Sequence, residues 1–374
     1  MYDAIVVGAR CAGSPTAMLL ARKGYRVLLL DRAAFPSDSF RNHFIQQLGI
    51  VHLHRWGLLN TVSASNCPPI RAFVTDLGDG RLAEAIEPAD GVDANYAPRR
   101  IVLDKILVDA AVEAGAELRE RFSVQELIWD KDRVVGVRGR AHGGAVTSEQ
   151  ARIVIGADGA HSIVAEAVQA PRYDGRPVLT FGYYSYFSSV PLAGTEVWIR
   201  PKCAYINFPT NNALTLVAIQ APVEGFHAFR EDIEGNFFRA LERVPELAER
   251  VRAGRREERW YGTADLQNVF RRPWGPGWAL VGDAGYHKDP ILAQGISDAF
   301  RDAELLAEAI DAGFAGRAPL EESLGDYERQ RNEAALPGYW ANCAAASFLP
   351  PAPEVFERRA TLRAASLSEV TATG

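Results

Sequence analysis

The chain has 374 residues, 48% of them hydrophobic and 24% charged, with 41 Lys+Arg against 47 Asp+Glu and a formal charge of −6. That apolar share can fill a large core and excludes a mainly disordered chain. The acidic balance excludes a protein whose whole surface neutralises nucleic-acid phosphate, so no nucleic-acid partner is expected.

The longest apolar runs, residues 4–7 and 27–30, fall far short of the roughly 18 residues that span a bilayer, so no integral membrane segment is expected. Met1-Tyr2-Asp3 leads straight into the first strand without a basic region, which argues against a signal peptide. Cys11, Cys67, Cys203 and Cys343 form no CxxC pair, a pattern of reduced thiols in a cytoplasmic protein rather than of a disulfide or metal framework.

In chain order, residues 4–7 form a continuous apolar run ending at Gly8, the signature of a buried parallel strand. Ala17, Leu20, Ala21 and Gly24 follow at helical spacing, and residues 27–30 give a second strand closed by Asp31, completing a βαβ unit. Residues 32–42 read as loop and 43–59 as helix. Two short strands, 70–74 and 82–86, flank the turn Gly78-Asp79-Gly80. A helix over 101–114 precedes strands at 117–118, 124–128, 134–137 and 153–155. Residues 178–221 alternate aromatic and polar side chains, which predicts an antiparallel sheet. One charged amphipathic helix is expected over 227–252, a buried strand over 278–281, helices over 294–311 and 320–347, and a loosely ordered tail after Pro350-Pro351.

The fold class is therefore α/β: a discontinuous Rossmann-like domain with an inserted, mostly antiparallel sheet and C-terminal helices. Residues 1–69, 98–170 and 262–345 are assigned to the first domain, 70–97 and 171–261 to the inserted one, and 346–374 to the tail.

Three motifs carry chemistry. Gly8-Ala9-Arg10-Cys11-Ala12-Gly13 has the spacing of G-x-G-x-x-G with Arg10 at the middle glycine. Gly8 would make the tight turn, Gly13 would let the helix pack closely, and the helix start would meet a pyrophosphate. Asp31, with Arg32 beside it, is placed to accept from ribose hydroxyls. The second motif, Asp158-Gly159, follows the strand 153–155. The third, Gly282-Asp283, follows the strand 278–281 and leads into Asp289-Pro290 and Gln294-Gly295-Ile296, where a helix begins. Acids and glycines at the ends of buried parallel strands lie where open α/β sheets bind ligands.

In this order and spacing the three motifs resemble the FAD-dependent hydroxylases of the p-hydroxybenzoate hydroxylase type, with geranylgeranyl reductases and flavin halogenases as wider relatives, over nearly the whole chain to about residue 340. The resemblance implies FAD pyrophosphate at the first motif, FAD and a pyridine nucleotide near Asp158, the ribityl chain at Asp283, and the isoalloxazine against residues 290–296. It also implies that Arg100, at a helix start, lies near the FAD. Arg41 and His43 sit in a stretch that reaches the flavin edge in such relatives. The expected function is an NAD(P)H-dependent monooxygenase that oxygenates a bulky aromatic or polycyclic small molecule with molecular oxygen through a flavin C4a-hydroperoxide. Alternatives are a reductase of isolated double bonds, echoed by Tyr205-Ile206-Asn207-Phe208-Pro209, and a non-catalytic flavin-binding redox sensor. The halogenase signature Trp-x-Trp-x-Ile-Pro is absent.

Candidates for direct chemistry are His287, His43 and Lys288; a histidine with an ordinary pKa near 6.5 suits proton exchange. Cys11 is read as a small apolar filler in preference to a covalent flavin link. Tyr183, Phe187, Tyr205 and Phe208 are candidates for a substrate pocket, or for the core of a half-buried sheet.

Overall fold

The computed structural model describes residues 1–38 and 43–349. Strand β1 (Tyr2–Val7), helix α1 (Gly13–Arg22) and strand β2 (Val27–Leu30) form the expected βαβ unit. Where one helix was expected over 43–59, α2 (Gln47–Arg55) and α3 (Leu59–Ala64) stand apart, because Gly57 takes φ +81° between them. Strands β3 (Ala72–Asp76) and β4 (Arg81–Ala85) pair as the expected hairpin. Helix α4 (Arg100–Glu113) and strands β5 (Glu117–Arg119), β6 (Phe122–Asp130), β7 (Arg133–Ala141) and β8 (Val146–Gly156) follow.

After α5 (Ile163–Ala167) and β9 (Arg172–Arg176) come the strands β10 (Thr180–Ser188), β11 (Thr195–Arg200), β12 (Cys203–Pro209) and β13 (Thr215–Pro222). The single helix expected over 227–252 is instead three: α6 (Phe226–Glu231), α7 (Ile233–Leu241) and α8 (Pro245–Ala253). Asp232 leaves helical geometry and its carboxylate caps α7 by accepting from Gly235 N at 2.9 Å; Pro245 starts α8 at a first-turn position where its missing N–H costs nothing. The chain closes with β14 (Arg255–Arg256), β15 (Tyr261–Thr263), β16 (Asn268–Arg271), β17 (Trp274–Gly275), β18 (Trp278–Leu280), β19 (Tyr286–His287), α9 (Gly295–Phe314) and α10 (Leu320–Ala346).

The central sheet runs β17-β18-β8-β1-β2-β5, with β18, β8, β1, β2 and β5 parallel. Ala4 and Val6 face a layer containing Leu20, Leu103 and Phe300, whereas Ile5 and Val7 face Phe122, Val134 and Val164. Burial on both faces is why this strand reads as an unbroken apolar run. The second sheet runs β14-β10-β13-β12-β11-β3-β4, antiparallel except where β11 meets β3. One of its faces packs under α7 and α8 through Phe237, Leu241 and Leu247; the other faces Phe44, Ile291 and Ala293 of the first body. A small sheet, β19-β16-β9, lies between. Of the tail 346–374, Ala346 ends α10 and Phe348 packs against the aromatic face of the second sheet; residues 350–374 lie outside the described residues.

Candidate active site at the strand ends

All three motifs meet at the loop between β1 and α1. Gly8 has φ +104°, and a Cβ there would lie 2.4 Å from the Ala157 carbonyl oxygen, so this turn admits only glycine. A Cβ on Gly13 would sit 1.8 Å from the Gly8 oxygen, and one on Gly282, at φ +61°, would lie 2.6 Å from the Ala12 Cβ. The start of α1 has no side-chain cap and no acid in its first turn. Ser14 there is fully buried, with its hydroxyl unpartnered. An uncapped helix start, glycine backbone and an orphaned buried hydroxyl fit the pyrophosphate of a dinucleotide.

Asp31 ends β2 and spans the same loop: its two oxygens accept from Ala9 N and Ala33 N, each at 2.7 Å. Arg32 beside it is exposed. Arg10, at the position of the missing glycine, turns onto α4. It pairs with the fully buried Asp104, donates to Ser37 Oγ at 3.0 Å and lies over the Phe35 ring. Arg100, buried in the first turn of α4, also grips Asp104, with Nη2 at 2.8 Å from Oδ1. The Cys11 thiol contacts the same carboxylate at 3.5 Å, and burial pushes its pKa up to about 12, so it is not a thiolate nucleophile. Asp104 was missed in the sequence; its i, i+4 spacing from Arg100 was the signal.

Asp158 caps α5, accepting from Ile163 N at 2.7 Å, and burial raises its pKa. Asp283 stands a third exposed at the end of β18, close enough for its charge to act on Arg100. His287 is buried; its Nδ1 bonds the Gln267 carbonyl and its Nε2 lies 3.9 Å from Asp283. Lys288 is held at 2.7 Å by both Gln294 Oε1 and Asp298 Oδ2. Pro290 opens a short 3₁₀ turn, Ala293 takes φ +51°, and Gln294 then caps α9 without a side-chain bond to the helix N–H groups; Gly295 is exposed and Ile296 is buried. Arg41 lies outside the described residues.

The family model described as FAD binding domain matches residues 1–336. The chain belongs to this family. It is an FAD-dependent oxidoreductase and an enzyme, as the sequence resemblance implied. It is 24% identical over 356 residues to a digeranylgeranylglycerophospholipid reductase of Methanocella arvoryzae, covering 89% of this chain and 83% of that protein. It is 27% identical to a kynurenine 3-monooxygenase of Salinispora tropica, covering 92% and 84%. Its fold matches the myxobacterial chondrochloren halogenase, an FAD-dependent halogenase, with a TM-score of 0.85 at 24% identity, over 98% of this chain and 90% of that one. No helix among the described residues is long and apolar enough to cross a membrane.

Two expectations for this FAD-binding protein need correction. His43 is fully buried, between the Ala97 carbonyl at Nδ1 and the Tyr186 hydroxyl at Nε2, each at 2.9 Å. Burial pulls its pKa down to about 3, so it stays neutral and does not exchange protons near pH 6.5. The substrate-pocket residues divide between the two faces of the second sheet. Tyr183, Phe187 and Tyr205 point to the helices, where Tyr205 donates to the Ala240 carbonyl at 2.6 Å. Phe208 points the other way, with Tyr184, Tyr186, Ile206 and Tyr261, toward Ile291 and Ala293 of the loop before α9. Successive strand residues alternate faces, so the residues that meet Ile291 and Ala293 are the ones between Tyr183, Phe187 and Tyr205 in register.

Proposed function

We propose that the enzyme is an NAD(P)H-dependent monooxygenase that oxygenates a bulky aromatic or polycyclic small molecule. The observation that carries this reading is the aromatic face formed by Tyr184, Tyr186, Phe208 and Tyr261, packed toward Ile291 and Ala293. Tyr184 and Tyr261, the partly exposed rings of that face, offer area and ring-stacking to a flat substrate, and the buried Tyr186 and Phe208 back them. FAD, when bound, supplies hydride acceptance and the reductive activation of oxygen.

The chain's own residues position and polarise. Backbone around Gly8, Ala12 and Gly13 would hold the pyrophosphate, with Asp31 and Asp283 accepting from sugar hydroxyls. The start of α9, at Gln294, Gly295 and Ile296, favours negative charge on whatever ring lies against it. His287 is the candidate for proton exchange, since an Nδ1 hydrogen donated to Gln267 O makes Nε2 the acceptor in the neutral ring. For the reductant, a groove of about 460 Å³ beside Asp158 is lined by Arg172, Arg271, Ser162 and Gln267, groups suited to phosphate. Residues 70–97 and 171–261 would hold the substrate, and residues 1–69, 98–170 and 262–345 the cofactor.

Turnover under oxygen-18 gas tests the reading. Label in the product is expected; product formed without oxygen, from a substrate with an isolated double bond, would establish the reductase instead. Sequence similarity to digeranylgeranylglycerophospholipid reductases favours that second reading.

A further inference from the structure

Lys288 occupies an unusual position at the start of α9. Its side chain is 6% exposed and its ammonium pairs with Asp298 at 2.7 Å. It bridges two groups of one helix turn: Gln294, the N-cap, and Asp298, four residues on. The third wall is α10 at Pro337-Gly338, where a Cβ on Gly338 would lie 3.3 Å from Gln294 Oε1 and 3.7 Å from Lys288 Nζ.

Gln294 and Asp298 are the side chains of this helix best placed to compete for its first-turn N–H groups. Both are drawn onto Lys288, and the helix start is left with no side-chain cap. Asp298 would otherwise place negative charge at the end of the helix that should attract an anion. Arg301 also binds its carboxylate, at 2.9 Å, but Arg301 additionally serves the fully buried Asp302. Around them Arg301 and Arg331 act on Asp302, and Glu328 acts on Arg331, so three cations face three carboxylates. Removing Lys288 leaves that group one positive charge short.

We propose that Lys288 is a positioning residue that keeps the N-terminus of α9 uncapped and electropositive, and so sets the reduction potential of the bound FAD. The inference rests on the reading that the isoalloxazine lies against residues 290–296.

The test is a dye-equilibrated reductive titration of the FAD-loaded protein. Lys288→Met is expected to weaken binding of reduced relative to oxidised FAD about tenfold, a fall of about 30 mV for a two-electron couple. Asp298→Asn should shift the potential upward by a similar factor, and the double variant should return to within twofold of the wild type. A Lys288→Met protein within twofold of wild type, or a double variant that keeps the full deficit, overturns the inference. If Lys288→Met does not fold, an unchanged potential in Asp298→Asn overturns it equally. Wild-type protein that takes up no FAD would overturn the reading beneath it, which FAD titration detects separately.

Discussion

Asp104 gathers Arg10, Arg100 and the Cys11 thiol onto one fully buried carboxylate beside the loop between β1 and α1. Removing one partner of such a cluster strands buried charge, which costs roughly 3–5 kcal/mol. Asp104→Ala is therefore expected to lower stability by about that amount in urea denaturation and to weaken FAD binding at least tenfold by fluorescence titration. Unchanged FAD affinity in folded Asp104→Ala protein would mean that the cluster does not shape the loop. His43 gives a pH prediction. Its folded pKa of about 3 lies below the ordinary 6.5, so the unfolded chain takes up a proton first as pH falls. Its contribution is complete above pH 6.5 and is lost toward pH 3, at roughly 1.4 kcal/mol per pH unit within that window. His43→Gln should flatten the stability profile between pH 6.5 and 4.5, measured by urea midpoints at each pH. Of these two residues, Asp104 was readable from the spacing Arg100-x-x-x-Asp104. His43 was not, because its burial depends on Ala97 and Tyr186, 54 and 143 residues away in sequence.

At the scale of elements, the parallel strands were legible because burial on both faces leaves no polar residue to interrupt residues 4–7 of β1, β2 or residues 153–155 of β8. The second sheet was legible as a sheet but not in phase. Aromatic residues occupy both parities of β10, Phe181, Tyr183 and Phe187 on one face and Tyr184 and Tyr186 on the other. With helices covering one face and the first body covering the other, polarity gives no sign of which side is which. The three-helix break was legible in principle at Asp232 and Pro245, whose capping chemistry outweighs the amphipathic pattern running through them. The face assignment makes a paired prediction. Tyr205→Ala should cost about 3–5 kcal/mol of stability, because it empties a fully buried site and removes the shorter of the two hydrogen bonds to the Ala240 carbonyl, while the FAD absorption spectrum stays as in wild type. Phe208→Ala should cost a comparable amount and also shift the FAD spectrum. If Tyr205→Ala perturbs the spectrum and Phe208→Ala does not, the faces have been assigned in reverse.

Across the whole molecule, the second sheet and the body built on the central sheet are joined at Asp289, which is 1% exposed. Its carboxylate accepts from Thr180 Oγ1 and Gln220 Nε2 on the sheet, and from Ile291 N at 3.1 Å in the loop before α9. Its backbone N–H donates to Asn268 Oδ1 at 2.9 Å, and its carbonyl accepts from Asn342 Nδ2 of α10 at 2.7 Å. One residue thus ties β10, β13, β16 and α10 to the loop beside which the flavin ring is expected. The sequence showed Asp289 only as the acid before Pro290; apart from Ile291, its partners lie 21 to 109 residues away and no local pattern announces them. A surface this dependent on one buried carboxylate should lose its coupling when the carboxylate goes. In the FAD-loaded wild type, heat should release flavin and abolish secondary structure in one transition, because the loop and the sheet hold each other in place. In Asp289→Ala, stability should fall by about 3 kcal/mol, and the rise of flavin fluorescence on release should precede the loss of far-ultraviolet circular dichroism by several degrees. Coincident midpoints in Asp289→Ala, at a stability near that of wild type, would show that the apolar contacts of Phe208, Ile291 and Ala293 suffice to hold the two bodies together and that Asp289 is only a turn cap.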